Sequence, residues 1–358
     1  MKKYEVVENW IKSRIESGMI VPGDKLPSES ELMRQFGVSR NAVRQAANKL
    51  IKDALVESKQ GVGYFAIKRS TGKSTEIGFI CFRTSSYIFP HIIHGANKII
   101  QKNGYHMLLH ESWYDLSVEK NLLINLEKKG VSGVIITPVY GTSEYNNVAL
   151  LERLESKGIP VVLLDSFFPE YSFSCVSLSD EQAGWMAAKH LWTNGHRNVG
   201  IIYSRNYFPK ILRRDGALRF FREQGSPLQE ELIQGIEGQT SAKTVYGEIR
   251  RVLKELKSMP TAFICSSDDE AIILIHQLKK RGVTIPEDVS IISFDNSDVS
   301  RYSHPRLTTI NHPSEYMGEK VASVLLERIN HPEIRLRSHT FIDSYVINRD
   351  SVRDLTKT

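Results

Sequence analysis

From residue 76 onward the sequence alternates short apolar runs with amphipathic stretches, and it does so in two successive series. No other feature restricts the possible folds of this chain as strongly. In the first series the spacing predicts strands over 77–81, 105–109, 133–136 and 161–164. Helices are predicted over 92–103, 118–129 and 147–157, followed by Gly104, Gly130 and Gly158 as C-terminal stops. The second series begins near Asp180, with strands over 199–202, 262–265 and 290–293 and helices over roughly 181–193, 213–223, 242–256 and 269–280. Regular β-α alternation predicts parallel sheets with helices on both faces. Two series predict two lobes. Ligands of such sheets bind beyond the carboxyl ends of the strands, here in the cleft between the lobes.

The residues before this region read differently. A helix over about 4–17 carries Val7, Trp10, Ile11 and Ile15 at helical spacing. Ser28 and Glu31 form an S-x-x-E capping box at the start of a second helix, whose apolar stripe is Leu32, Met33 and Phe36. Gly37-Val38 makes a tight turn, Ser39 caps a third helix, and Val43, Ala46, Ala47 and Leu50 are its buried face. The stretch 55–66 reads as two short strands around a glycine-containing turn, completing a winged helix-turn-helix. Arg40 and Arg44 share the exposed face of the third helix. That placement suits the DNA major groove, where a guanidinium pairs bidentately with guanine O6 and N7. Charge agrees. Residues 1–73 hold 14 Lys and Arg against 8 Asp and Glu, a net of +6, which is the net charge of the whole chain. The rest is neutral overall, so the positive balance lies where phosphates need it.

The expected organisation is therefore a DNA-binding domain over 1–68, a polar linker over 69–75 and an effector domain over 76–358. In a chain of 358 residues the second part is long enough to bury a core of its own. No apolar run approaches the ~20 residues of a membrane helix, and the N-terminus has no apolar segment of the secretory kind. Cys81, Cys175 and Cys265 are widely spaced and odd in number, and read as buried thiols of a reducing cytoplasm. Gly72-Lys73-Ser74 lacks the earlier glycine of a phosphate loop, where Ile67 stands. Gly61-Val62-Gly63 lacks the helix that a dinucleotide turn requires. His91 and His94 are a possible metal pair by spacing, but no third ligand follows. No catalytic motif is present, so no enzyme activity, metal or cofactor is expected.

The stretch 23–66 resembles the GntR family of bacterial winged-helix regulators. Gly23-Asp24-Lys25-Leu26-Pro27-Ser28-Glu29, Phe36-Gly37-Val38-Ser39-Arg40, Val43-Arg44 and the wing Gly61-Val62-Gly63-Tyr64-Phe65 carry that resemblance. One departure is Ala42, where the family usually has Thr. The resemblance implies DNA-contacting positions at Lys3, Glu29, Ser39, Arg40, Asn41, Arg44, Gln60 and Gly61. The remainder resembles the LacI/GalR effector domain, related to periplasmic sugar-binding proteins. The resemblance rests on Asp180-Glu181-Gln182-Ala183-Gly184, Gly195-His196-Arg197, Arg213-Arg214-Asp215-Gly216, Ser266-Ser267-Asp268, Ile285-Pro286-Glu287-Asp288 and Phe294-Asp295-Asn296.

A GntR-type head on a LacI-type body is an uncommon pairing. With Ser86-Tyr87-Ile88-Phe89-Pro90 and His312-Pro313 it is similar to arabinose-responsive repressors. The resemblance implies ligand positions at Tyr87, Phe89, Asp165, Arg213, Ser267, Asp268, Asp295 and His312. Asp165 and Asp295 follow strands, so their carboxylates can accept sugar hydroxyls in the cleft. Where the family has Asn, this chain has Ser267. Alternatives stand at three positions: Arg213 as a partner of Asp215, Phe89 as core, Asp268 as a helix N-cap. The expected protein is a cytoplasmic homodimer that represses transcription by binding double-stranded operator DNA, under allosteric control by a small sugar. L-arabinose is the leading effector, with another monosaccharide or a nucleobase as the alternative. A sugar-transport binding protein and a sugar-modifying enzyme are the competing classes.

Overall fold

The computed structural model describes residues 3–16, 19–21, 23–52, 55–59, 62–66, 74–85, 88–139, 146–238, 242–333 and 337–357. The chain divides into two compact units, Met1–Ser74 and Thr75–Thr358. Among the described residues no helix is long and apolar enough to cross a membrane.

The first unit comprises α1 (Lys3–Glu16), α2 (Glu29–Phe36), α3 (Arg40–Lys52), β1 (Val56–Lys59) and β2 (Gly63–Ala66). The capping box forms as the spacing predicts. Ser28 Oγ accepts from the Glu31 amide at 3.3 Å, and Glu31 Oε2 accepts from the Ser28 amide at 2.7 Å. Gly37 ends α2 in the left-handed region, at φ 62°. Ser39 Oγ then accepts from the Ala42 amide at the start of α3. Such caps are typically worth about 1 kcal/mol each. Val7, Ile11, Leu26, Leu32, Val43 and Leu50 fill the core that the three helices share. β1 and β2 pair antiparallel, Val56 opposite Ala66 and Lys59 opposite Gly63. Backbone bonds from Gly23 to Ala66 and from Leu26 to Tyr64 tie the chain ahead of α2 to the wing.

The second unit opens with β3 (Glu76–Cys81), α4 (Phe89–Lys102), β4 (His106–Glu111), α5 (Leu116–Lys129), β5 (Gly133–Ile136), α6 (Val148–Ser156), β6 (Val161–Leu164) and β7 (Ser174–Leu178). It continues with α7 (Asp180–Thr193), β8 (Val199–Ser204), α8 (Phe208–Glu223), β9 (Ile233–Ile236), α9 (Ala242–Glu255), β10 (Ala262–Cys265) and α10 (Asp268–Lys279). The last elements are β11 (Ser290–Asp295), α11 (Asp298–Tyr302), β12 (Thr308–Asn311), α12 (Ser314–Asn330), β13 (His339–Ile342) and β14 (Val346–Ile347). Two six-stranded sheets result. Lobe 1 has the order β13-β7-β6-β5-β3-β4, parallel throughout. Lobe 2 has the order β14-β12-β11-β10-β8-β9, parallel except for β14. β5, β6, β7 and β10 are buried at every residue, as strands covered by helices on both faces must be.

The chain passes between the lobes three times. β7 lies in lobe 1, but the helix after it, α7, packs on β10, β11 and β12 of lobe 2. β12 lies in lobe 2, but α12 returns to pack on β5, β6 and β7. β13 and β14 then add one strand to each sheet. Two helix pairs, α4 with α12 and α7 with α8, make the closest packing in the unit. Glycines permit it. A Cβ on Gly184 would overlap the Arg213 carbonyl oxygen, and one on Gly216 would overlap that of Glu181. Gly95 and Gly318 stand in the same relation between α4 and α12. The Gly184 and Gly216 contacts seat α8, and with it Arg213, firmly on α7.

Candidate functional site

The first candidate surface is the exposed start of α3. A single carboxylate organises it. Glu29 of α2 takes Arg40 Nε at 3.2 Å on one oxygen and Arg44 Nε at 3.0 Å on the other. The Tyr64 hydroxyl of β2 donates to the second oxygen at 3.3 Å. Arg40 and Arg44 remain more than half exposed, whereas Glu29 is largely covered. The arginines are thus aligned yet available, because an exposed ion pair of this kind is weak and readily exchanged for another partner. Ser39 and Asn41 are exposed on the same turn, and Lys3 is exposed at the first residue of α1. Gln60 and Gly61 lie outside the described residues. Tyr64 joins this surface through its hydroxyl, a part that its place in the wing strand did not disclose.

The second lies where strand ends of the two lobes meet. Asp165 follows β6 of lobe 1, and Asp295 closes β11 of lobe 2. Arg213 projects from α8, and His312 sits on the passage from β12 to α12. Arg213 Nε donates to Asp180 Oδ1 at 2.7 Å, and its Nη1 donates to Asp295 Oδ1 at 2.9 Å and to the Ser266 carbonyl at 2.8 Å. Its guanidinium also lies over the Phe294 ring. His312 Nε2 is 3.2 Å from Asp165 Oδ1, and its Nδ1 is 2.9 Å from Ser314 Oγ. Arg213, Asp165, Asp180, Asp295 and His312 are all at most 5% exposed.

Burying charges at this density shifts their titration. Burial pushes Asp295 up to about 7, against the pull of His312. It pushes Asp180 up to about 6, against the pull of Arg213. His312 is raised, since the hydrogen bond to Asp165 and the nearby carboxylates outweigh the burial that disfavours its cation. Carboxylates outnumber cations, so the group is richer in acceptors than in donors. Its backbone is strained as well. Asp165, Asp295 and Asn296 have φ of 51°, 103° and 48°, a region that L-residues avoid and that clusters at ligand sites. Beside Asp295 and His312 opens a recess of about 240 Å³, walled by Ile88 and His91 of lobe 1, by Asn296 and Arg301 of lobe 2, and by Asn311.

Two family models match the chain. Residues 3–65 match the bacterial regulatory proteins of the gntR family, and residues 188–352 match the periplasmic binding protein-like domain. The arabinose metabolism transcriptional repressor of Geobacillus stearothermophilus is 30% identical over 359 residues, covering 99% of each chain. The protein of the same name from Halalkalibacterium halodurans is 30% identical over 91% of this chain and 89% of its own. This chain belongs to that family of repressors. Among solved structures, a LacI family transcriptional regulator from Enterococcus faecium with bound ribose superposes with a TM-score of 0.67 at 27% identity. The match covers 78% of this chain and 99% of the regulator.

In this repressor three of the expected ligand positions, Asp268, Ser267 and Phe89, are engaged with the protein itself. Asp268 is a strut, not an open ligand group. Its carboxylate accepts from Ser293 Oγ at 2.5 Å, Thr309 Oγ1 at 2.8 Å, and the Ser297 amide and hydroxyl at 2.8 and 2.7 Å. Four donors saturate a carboxylate, and they fasten the end of β11, where Asp295 stands, and the loop after it. Nor does Asp268 cap α10, of which it is the first residue. Ser267 is buried and takes the Lys210 ammonium at 3.3 Å, which is itself paired with Glu270 at 2.8 Å. Phe89 belongs to the core, edge-on to Phe82 at 5.9 Å, while its neighbour Ile88 reaches the recess. Asp215 pairs with Arg214, leaving Arg213 to the cleft. Tyr87 lies outside the described residues. The residues that the sequence did not single out here are Asp180, which holds Arg213, and Tyr207, whose hydroxyl donates to the Asp165 carbonyl at 2.6 Å.

Proposed function

We propose that this repressor binds its operator as a cytoplasmic homodimer and is released by a small uncharged sugar, with L-arabinose the leading effector. The DNA-binding part is assigned to residues 1–68, the linker to 69–75 and the effector part to 76–358. Lys3, Glu29, Ser39, Arg40, Asn41 and Arg44 form the DNA face, the two arginines reading base edges. In the cleft, Asp295 and Arg213 bind sugar hydroxyls as charge-assisted acceptor and donor, with Asp165 and His312 completing the ring.

The observation that carries the reading is the buried Arg213–Asp295 pair at the strand ends, bordering a strained backbone and an open recess. A polyol suits a site with a surplus of acceptors, because each hydroxyl can donate to a carboxylate that burial has left poorly solvated. Control of the operator then requires that the sugar bind two arrangements of the effector part with different affinity. The test is calorimetry of the full chain with L-arabinose, D-ribose, D-xylose and adenine, beside operator titrations with each. Saturable binding of L-arabinose and loss of operator affinity are expected. Binding of adenine alone would overturn the sugar assignment.

A further inference from the structure

The two residues that open α8, Tyr207 and Phe208, are lobe 2 residues that reach into lobe 1. Tyr207 is buried. Its hydroxyl donates to the Asp165 carbonyl oxygen at 2.6 Å and lies 3.2 Å from Asp165 Oδ2. Its ring meets Phe82, beyond the end of β3, edge-on at 5.7 Å. Phe82 is in turn stacked on Tyr114, beyond the end of β4, at 4.6 Å. Phe208 meets Phe167, two residues past Asp165, edge-on at 5.1 Å, and Phe167 leans on Phe341 of β13. Lobe 1 thus receives two consecutive aromatic side chains from one helix end, one against Asp165 and Phe82 and the other against Phe167. At the recess the lobes are joined by the passage from β12 to α12, and exposed His91 and Asp298 stand 3.9 Å apart beside it.

We infer that Tyr207 and Phe208 are a latch between the lobes, and that its strength sets how much effector is needed to switch the repressor. The inference rests on the reading of the cleft as the sugar site. The same helix carries Arg213, whose partners Asp180, Ser266 and Asp295 belong to lobe 2 and the helix packed on it. Engaging the latch therefore brings the Arg213–Asp295 pair, with His312 next to it at the end of β12, up to Asp165, and releasing it separates them from Asp165. Tyr207 and Phe208 act on ligand through this geometry and are positioning residues. A ligand that needs the assembled ring binds with an apparent affinity scaled by the fraction of molecules in which the latch is engaged. Weakening the latch then costs the same factor for every ligand of the cleft.

The test uses two variants of the full chain. Tyr207→Phe keeps the ring against Phe82 and removes only the hydrogen bond, so the packing is preserved. Phe208→Ala removes the second contact and leaves Tyr207 intact. The first readout needs no ligand. Amide hydrogen exchange over 162–168 and 205–213 should quicken in both variants relative to the parent, with exchange in β10 and β11 unchanged. The second readout is calorimetry with L-arabinose and its singly deoxygenated analogues. Loss of one hydrogen bond of ordinary strength weakens the latch roughly 2- to 13-fold, so affinities in Tyr207→Phe should fall by up to that factor, and by one common factor across the series. The effector concentration for half-release of operator should rise by that factor, while operator affinity without effector is retained. Unchanged exchange in both segments would overturn the latch whatever the cleft binds. A loss confined to one analogue would overturn it too, by making Tyr207 a direct ligand contact. A parent that binds none of the sugars, with exchange still quickened in both variants, would instead overturn the sugar reading and leave the latch standing.

Discussion

Replacing Asp295 by Asn should give a protein that is more stable above neutral pH and blind to its effector. Asn preserves the size of the side chain and an oxygen for Arg213 Nη1, now 2.9 Å from Asp295 Oδ1. What it removes is a buried acid whose proton affinity burial raises to about 7. In the unfolded chain an aspartic acid titrates near 3.9. A folded value above the unfolded one means that the native state binds more protons, so its stability is full below about pH 4 and declines as pH rises to about 7. Across that span, at 1.36 kcal/mol per pH unit, the decline comes to about 4 kcal/mol. The Arg213 contact favours the carboxylate and trims this to about 2–4 kcal/mol. Asp295→Asn lacks that slope. Its stability relative to the parent should therefore grow between pH 4 and pH 7 and level off above. Urea unfolding of both proteins at pH 5, 6, 7 and 8 measures the difference directly, provided the denaturant slopes agree. Calorimetry at pH 7.5 should show sugar binding lost or greatly weakened in the variant. Parallel pH profiles would refute the reasoning, and so would a variant several kcal/mol less stable than the parent at pH 8. Either would mean that Arg213 fully offsets the desolvation of Asp295.

Further outcomes follow from other contacts. Arg40→Ala and Arg44→Ala should each cost about 1–3 kcal/mol of operator binding and relax specificity at one or two base pairs, measured by titrating operator and random duplexes; equal losses on both would reduce the arginines to phosphate contacts. Gly216→Ala places a methyl group on the backbone of Glu181 and Trp185, which cannot yield as a flexible side chain would. It should destabilise the effector unit by about 1–3 kcal/mol or more in urea unfolding and weaken sugar binding by displacing Arg213. Asp268→Ala removes four hydrogen bonds, two from Ser297 of the loop after β11 and one each from Ser293 of β11 and Thr309 of β12, and should lower sugar affinity without altering which sugar is preferred; an altered preference across a pentose panel would return Asp268 to direct contact.

The parts of the fold most legible in the sequence are those with local signals. The capping box of Ser28 and Glu31, the Gly37 turn and the β-α alternation each depend on residues a few positions apart. Two helices start earlier than their periodicity suggests. The spacing predicts helices from 92 and from 213, whereas α4 begins at Phe89 and α8 at Phe208. Both begin with Phe-Pro, and proline in the first turn is the available sign, since its missing amide hydrogen is not needed there. The early start of α8 also hides Tyr207 from a reading by periodicity. β7, β13 and β14 have no such signal. They are strands because distant parts of the chain pair with them, as His339–Ile342 does with Cys175–Leu178. At the cleft, Asp295 and Asp268 look alike in sequence, each a carboxylate at the end of a strand. Only the side chains brought from β11, β12 and the α11 loop distinguish the carboxylate that faces Arg213 from the one saturated by hydroxyl and amide donors.

The three passages of the chain between the lobes bear on how the protein is made. Neither lobe is a continuous stretch of sequence: lobe 1 needs α12 and β13, which follow nearly all of lobe 2. As the chain leaves the ribosome, β5, β6 and the α4 face around Gly95 must wait for residues 314–342 to cover them. For most of synthesis an apolar sheet face and the unpaired edge of β7 stand open to other chains, the situation in which larger proteins aggregate. A transcript or chain broken before residue 314 yields a complete DNA-binding head on an effector part that cannot close its first lobe. Completion of the first lobe thus awaits the residues that follow Pro313, and premature termination there should leave insoluble product even though every residue of the DNA-binding unit has been made.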